Sequence, residues 1–312
     1  MKEELTFRDK VVLAARDVVS LAPKLGLMKK PNHHKNGVTF IVAVKDGEKW
    51  IKSCLLSILS AADEIIVIDS SVEDNTTKIV ESLAVGNSKI RHVKLFYDGY
   101  DAIALALHIG VALARYRWLF RWDSDCVAKS PEVIQEWVDR LKNLNPCAYY
   151  AIDLCRVNLR VDIEHQPCSN SDQFEFNGVR IFTWHPSLRG ILKDSIGLEQ
   201  VVGDSVWGQR LPLFYKLIRW YEPYMFHCDI KSPKNSLLRK YWFDYMLEGS
   251  KGARFKSLEE YTAYRVQQDE GLTMEEGIKK HMEFLLKDTM PYDKARFGDL
   301  PKLLKDSQDK LN

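Results

Sequence analysis

The apolar positions of this chain fall into short continuous runs separated by stretches with helical spacing. Val38–Val44 is a run of strand length in which only Thr39 is polar. Runs this short, with no polar alternation, mark strands buried on both faces. Asp46-Gly47-Glu48 then opens a segment whose apolar residues Ile51, Leu55, Ile58 and Leu59 share one helical face. Glu64–Asp69 reads Glu-Ile-Ile-Val-Ile-Asp, a second buried strand, and Asn75–Leu83 carries the next helical pattern. Residues 90–96 predict a third strand, Ile103–Ala114 a helix, and Trp118–Trp122 a fourth strand that ends at Asp123-Ser124-Asp125. Ser130 and Pro131 supply a capping hydroxyl and a proline suited to the first helical position. The helix they open presents Val133, Ile134, Trp137, Val138, Leu141 and Leu144.

Strands alternating with helices of this length imply parallel crossovers and a doubly wound α/β sheet. Beyond residue 147 the alternation breaks down. Cys147–Asp153, Cys155–Val161 and Gly178–Trp184 are strand-like and predict an antiparallel extension of the sheet. Residues 235–248 and 272–287 predict helices, and 288–312 is charged with scattered apolar positions. The organisation expected is an N-terminal helical segment and linker over 1–36, an α/β domain over 37–232, and a helical extension over 233–312.

Composition excludes more than it assigns. The chain has 45 Lys and Arg against 43 Asp and Glu, so its overall charge argues neither for nor against nucleic acid, and no nucleic-acid partner is expected. Six cysteines show no paired spacing of the zinc-site kind and sit largely in apolar runs, as buried thiols in a reducing compartment do. No stretch approaches the ~20 apolar residues that cross a bilayer, and the first residues lack a signal peptide's apolar segment. A cytoplasmic protein is expected. Residues 11–22 have the spacing of a short amphipathic helix, with Lys24, Lys29 and Lys30 close behind. Two readings stand for it: packing on the domain's own surface, and peripheral contact with the inner face of a membrane.

The acids that close the strands carry the chemistry. Asp123 and Asp125 stand one residue apart where an apolar strand gives way to a loop. Two carboxylates there form a hard oxygen-donor set suited to a divalent cation carrying a diphosphate. Acids at the end of a central strand need a compensating charge in any case. Asp69 closes another strand, and ligands of doubly wound sheets bind beyond the strands' carboxyl ends. One crevice would then hold Asp69 and Asp123, although an acid in Asp69's position also serves as a plain turn former. No G-x-G-x-x-G follows the first strand, which argues against a dinucleotide-dependent oxidoreductase. Val44-Lys45-Asp46-Gly47-Glu48 is too short and too acidic to be the triphosphate loop of a nucleotidyltransferase.

Val44–Ile58, followed by Asp63–Ser70 and then by Asp123-Ser124-Asp125, resembles the opening of family 2 glycosyltransferases, whose nucleotide-sugar-binding fold is called GT-A. The resemblance is close over residues 38–130 and loose over 175–235. It implies a Rossmann-like α/β domain with a mixed, mostly parallel central sheet, a nucleotide-binding half over 37–130, an acceptor-binding half over 131–232, and the helical extension. It further implies a metal-dependent, inverting, hexosyltransferase-like enzyme using Mn²⁺ or Mg²⁺. Such an enzyme moves a sugar from a nucleotide-diphosphate donor, UDP-sugar foremost, to a hydroxyl of a glycan or lipid-linked acceptor in cell-surface polysaccharide biosynthesis. By the same resemblance Asp69 would recognise the base, with Ala43 and Lys45 near the nucleoside. Asp123 would touch the ribose or a metal-bound water, Asp125 would bind the metal, His227 would be a further metal ligand, and Lys231 would lie near the diphosphate. The base that takes the acceptor proton would be Glu199 or Asp204.

Departures from the family pattern are Asp46, where Asn is frequent, and Leu107-His108, where Arg-Asn is usual. The rival reading is a non-catalytic nucleotide-sugar-binding or scaffolding subunit, which would bind UDP without turnover. The aromatics Trp184, Trp207, Trp220, Tyr221 and Tyr224 serve either to stack sugar rings or, more commonly, to fill a core.

Overall fold

The computed structural model describes residues 7–31, 34–97, 102–169, 174–185, 188, 212–249 and 254–308. The first elements are α1 (Phe7–Val19), β1 (Lys35–Val44), α2 (Ile51–Ile58), β2 (Glu64–Asp69), α3 (Thr76–Val85), β3 (Ile90–Lys94), α4 (Ala102–Leu113), β4 (Tyr116–Asp123) and β5 (Cys126–Ala128). There follow α5 (Pro131–Lys142), β6 (Tyr149–Arg160), β7 (His165–Pro167), β8 (Phe174–Thr183), β9 (Tyr215–Trp220) and β10 (Met225–Asp229). The chain closes with α6 (Pro233–Gly249), α7 (Leu258–Glu270), α8 (Met274–Lys287), β11 (Thr289–Pro291), α9 (Lys294–Phe297) and α10 (Lys302–Gln308).

One sheet runs β3-β2-β1-β4-β8-β6-β10-β5, with β9 paired to β6. The β3-β2-β1-β4 half is parallel, as the alternation of strands and helices requires, and β9 runs parallel to β6. β8 lies antiparallel to both β4 and β6, which is the expected antiparallel extension. The mixed α/β sheet is therefore of the class the sequence predicts.

The apolar runs explain why β1 and β4 lie in the interior of the sheet. Val38, Phe40 and Val42 of β1 join Trp118, Phe120 and Trp122 of β4 in one core under Ile51, Leu55 and Ile58 of α2. Ile41 and Leu119, on the opposite face, meet Ala106, Leu107 and Val111 of α4 in a second core. Both faces of the strands are covered, so no polar alternation survives in them. α4 approaches β1 closely: a Cβ on Gly110 would lie 2.3 Å from Ile41 Cγ2. Ser130 caps α5, its Oγ accepting from Val133 N at 3.2 Å, with Pro131 at the start of the helix.

The chain divides into two compact units. The first comprises Met1–Val157, Phe174–His227 and Asp299–Asn312; the second comprises Asn158–Gln173 and Cys228–Gly298. In the second, β7 and β11 form an antiparallel ladder. Helices α6, α7 and α8 enclose Leu237, Tyr241, Tyr261 and Val266, beside Phe255. The strand pattern at 147–161 is one strand, β6, because Leu154 and Cys155 at its middle are as buried as their neighbours. Helix α7 had no sequence signal of its own, since its buried positions include Thr262 beside Tyr261 and Val266. It is nonetheless well bounded: Ser257 Oγ accepts from Glu260 N, and Gly271 closes it at φ 69°. Among the described residues no helix is long and apolar enough to cross a membrane.

Candidate functional site

The acids meet at the carboxyl end of β1. Val44 pairs with Asp69 on one side and Ala43 pairs with Asp123 on the other. Ala43 is half-buried and Lys45 exposed. Asp46 then turns the chain with φ at 48°, in the left-handed region that Asp tolerates through local hydrogen bonding. Its Oδ1 accepts from Val72 N at 2.9 Å and Glu73 N at 3.0 Å, tying the loop after β1 to the loop after β2. A Cβ on Gly47 would stand 3.7 Å from Ser124 Oγ, so this loop also lies against the turn between β4 and β5. The three loops are neighbours at this end of the sheet.

Asp69 is wholly buried. Its Oδ1 accepts from Ser71 N at 2.8 Å; its Oδ2 accepts from Thr77 Oγ1 at 2.7 Å and Lys94 Nζ at 3.2 Å, and lies 3.1 Å from His92 Nε2. Burial opposes its ionisation. The hydrogen bonds from Thr77 and Ser71, with His92, outweigh that and bring the carboxyl down to about 2. Every one of these partners belongs to the chain itself, so the carboxylate braces the loop after β2.

Asp123 and Asp125 have different surroundings although they share a turn. Arg180 of β8, only 2% exposed, donates from Nη1 to both oxygens of Asp123 at 2.8 Å. Arg121 Nε lies 3.5 Å and Arg156 Nη1 3.6 Å from the same carboxylate. Burial works against the charge on Asp123, but Arg180, Arg121 and Arg156, with His227, hold its carboxyl well below the usual range. Arg180 is raised in turn: desolvation disfavours its charge, and Asp123 more than restores it. The compensating charge for Asp123 is thus a set of guanidiniums.

Asp125 sits in the two-residue connection to β5. The antiparallel register of β10 on β5 sets His227 opposite Cys126, and His227 Nε2 comes within 3.5 Å of Asp125 Oδ2. Asp123, Asp125 and Cys126 also group closely enough for their ligand atoms to lie within 4.8 Å of one another. Cys126 is unsuited to a hard cation. Sulfur is a soft donor, and burial, with Asp123 and Asp125, pushes its thiol up. The carboxylate and imidazole of Asp125 and His227 do fit Mn²⁺ or Mg²⁺. Their separation approaches the ~3 Å between adjacent ligands of an octahedral ion at ~2.1 Å, and both side chains are partly open to solvent.

Of the sequence-predicted residues, the fold brings Ala43, Lys45, Asp69, Asp123, Asp125 and His227 together at this end of the sheet. Glu199 and Asp204, with Trp207, lie outside the described residues. Lys231 belongs to the second unit, where it pairs with Asp229 and lines a cavity of about 240 Å³ with Arg160, Lys240 and His281. Trp220 and Tyr224 fill the first core, the former 4.5 Å from Trp137 between ring centroids. Trp184 is half-buried and its Nε1 donates to Val111 O; Tyr221 is exposed. Sequence reasoning missed the three arginines. Each stands between apolar neighbours on its strand (Phe120 and Trp122, Cys155 and Val157, Val179 and Ile181), and a cation so placed implies a buried acid nearby.

The family described as Glycosyl transferase family 2 matches residues 39–196, half of the chain. No curated protein sequence matches. Among solved structures, the chain is 13% identical to a fragment of S. aureus TarS, covering 73% of this chain and 68% of that one, with a TM-score of 0.43. It covers 42% of the longer TarS chain, at 12% identity and a TM-score of 0.41. The mannosyltransferase PcManGT from Pyrobaculum calidifontis, solved with GDP-Man and Mn²⁺, is 13% identical over 96% of this chain and 89% of that one, with a TM-score of 0.41.

Proposed function

The chain belongs to glycosyl transferase family 2, and we propose on that footing that it moves a sugar from a nucleotide-diphosphate donor, UDP-sugar foremost, to a hydroxyl of a glycan or lipid-linked acceptor, with inversion. The observation that carries this reading is the approach of Asp125 and His227 at the carboxyl end of β4, beside the loops after β1 and β2. Asp125 and His227 would hold Mn²⁺ or Mg²⁺, which when bound neutralises the departing diphosphate. Asp123, held by Arg180, keeps the turn and hence Asp125 in place, and acts on nucleotide or metal one shell out.

Asp69 acts on the base through the loop it braces, since its own carboxylate is fully shielded by Ser71, Thr77, His92 and Lys94. Ala43 and Lys45 line the nucleoside side of the crevice, and Lys231 is assigned to the diphosphate by the family resemblance alone. The acceptor hydroxyl loses its proton as it attacks the anomeric carbon, and a carboxylate must take it; Glu199 and Asp204 are the candidates. We place the reaction in cell-surface polysaccharide biosynthesis, at the cytoplasmic face of a membrane.

The test is a panel of nucleotide sugars with Mn²⁺, read as donor hydrolysis and as transfer to glycan acceptors. The expected result is turnover of at least one donor, abolished by Asp125→Ala together with its metal dependence. If no donor is hydrolysed even slowly, and Asp125→Ala changes neither nucleotide nor metal affinity, the reading fails. UDP binding without turnover, unaffected by changes at both Glu199 and Asp204, would favour the non-catalytic alternative.

A further inference from the structure

Helix α1 and the turns that continue it to Leu27 are apolar on the side that faces solvent. Phe7, Val11, Val18, Leu21 and Leu25 recur at helical spacing and are all exposed, Phe7 to 83%, Val18 to 70% and Leu25 to 69%. Leu27, just beyond, is 79% exposed. The opposite side holds Arg16, Ser20 and Pro23, all buried. Arg16 Nη1 donates to Pro212 O at 2.9 Å, and α1 packs against β9 of the same unit. A surface helix ordinarily turns its apolar stripe to the core and its polar residues to water. Here the arrangement is reversed while the helix stays anchored. The segment that follows is anchored as well: Met28 packs against the second core, and Tyr149 OH donates to Lys29 O at 3.1 Å.

The charges bordering the stripe say what would cover it. Lys10, Lys24, Lys29 and Lys30 are exposed around it, against the single exposed acid Asp17 among the described side chains of this segment. An apolar helix face edged by lysines matches a surface that is fluid and apolar within and anionic at its rim. We infer that this face docks the protein onto an anionic lipid bilayer, with Phe7, Val11, Val18, Leu21 and Leu25 at the acyl boundary and the lysines among the headgroups. The inference deepens the membrane-face location proposed above by naming the surface that makes the contact. It rests on α1 and its flanking turns, and its test reads lipid binding rather than turnover, so the two readings fail separately.

The experiment is co-sedimentation of the full chain with vesicles of phosphatidylcholine alone and of phosphatidylcholine mixed with phosphatidylglycerol. Two variants accompany it, Val11→Gln/Val18→Gln/Leu25→Gln and Lys24→Gln/Lys29→Gln/Lys30→Gln. All six positions are exposed, and an unchanged thermal melt verifies the fold of each variant. The expected result is binding to the acidic vesicles that weakens with salt, and a loss of at least about tenfold in partitioning for each variant. Absence of binding to acidic vesicles overturns the proposal. So does equal binding of all three proteins, or self-association of the wild type in solution that the Val11/Val18/Leu25 variant abolishes.

Discussion

Removing the Arg180 guanidinium, as in Arg180→Met, tests the electrostatic design of the acidic turn. Arg180 is almost fully buried and meets both oxygens of Asp123 at 2.8 Å. Breaking a buried pair from one side ordinarily costs about 3–5 kcal/mol, because the remaining charge is left uncompensated. Two features reduce that here. Arg121 and Arg156 stay within 3.6 Å of Asp123, and the Asp123 side chain keeps 25% of its surface in water. The expected loss at neutral pH is therefore about 2–3 kcal/mol. Asp123 has a folded pKa held below its unfolded value, so its pairing contributes fully above about pH 4 and is lost as the pH falls further. The destabilisation by Arg180→Met must accordingly shrink in acid. Urea melts from neutral pH down to about pH 2 follow this, since the loss falls away only as the pH approaches the depressed folded pKa of Asp123. The cycle with Asp123→Asn should show a coupling of at least about 1 kcal/mol, the double variant losing less than the sum of the singles. A loss below about 0.5 kcal/mol at neutral pH, or one that does not change in acid, refutes the reasoning.

Asp69, brought to about 2 against an unfolded carboxyl near 3.9, contributes roughly 2–3 kcal/mol above about pH 4 and loses it as the pH falls through its folded pKa. Asp69→Asn should flatten the acid limb of the stability profile, and an unchanged limb counts against the bracing role. Gly110→Ala drives a methyl into the Ile41 side chain, so Ile41 or α4 must shift at a cost of about 1–3 kcal/mol; a neutral melt contradicts the packing described. Cys54 and Cys126 are buried, with thiols pushed far up by burial and by Asp123 and Asp125, whereas Cys168 is exposed. A thiol reagent should modify Cys168 in the native protein and the other two only on unfolding. Rapid native labelling of Cys126 would show that the turn is open.

The parallel half of the sheet was legible because burial on both faces writes itself into the sequence as unbroken apolar runs, Val38–Val44 and Ile65–Ile68. Strand pairing was not. Nothing local announces that His227 will face Cys126 across an antiparallel register, since that contact joins residues about a hundred positions apart. The acids at strand ends were visible as residues but not in their states. Asp69 looks like an open ligand in the sequence and is enclosed by Ser71, Thr77, His92 and Lys94 in the fold. Asp123 reads as one of two acids at a metal, and the fold adds what the sequence does not show, the guanidiniums of Arg180, Arg121 and Arg156 around it, contributed by β8, β4 and β6. Arg121 lay within reach of sequence reasoning: it is two residues from Asp123 on the same strand and so on the same side.

The most direct test of the account is a Mn²⁺ titration in the presence of UDP, followed by electron paramagnetic resonance, on the wild type and on Asp125→Asn, His227→Ala and Arg180→Met. Asp125 and His227 as direct ligands predict losses of about tenfold or more in Mn²⁺ affinity for each of the first two variants. Arg180→Met, which loosens Asp123 and with it the turn that carries Asp125, should weaken Mn²⁺ binding less than either ligand substitution does. Mn²⁺ binding unaltered by Asp125→Asn and by His227→Ala would contradict the metal site and with it the chemistry proposed for this end of the sheet.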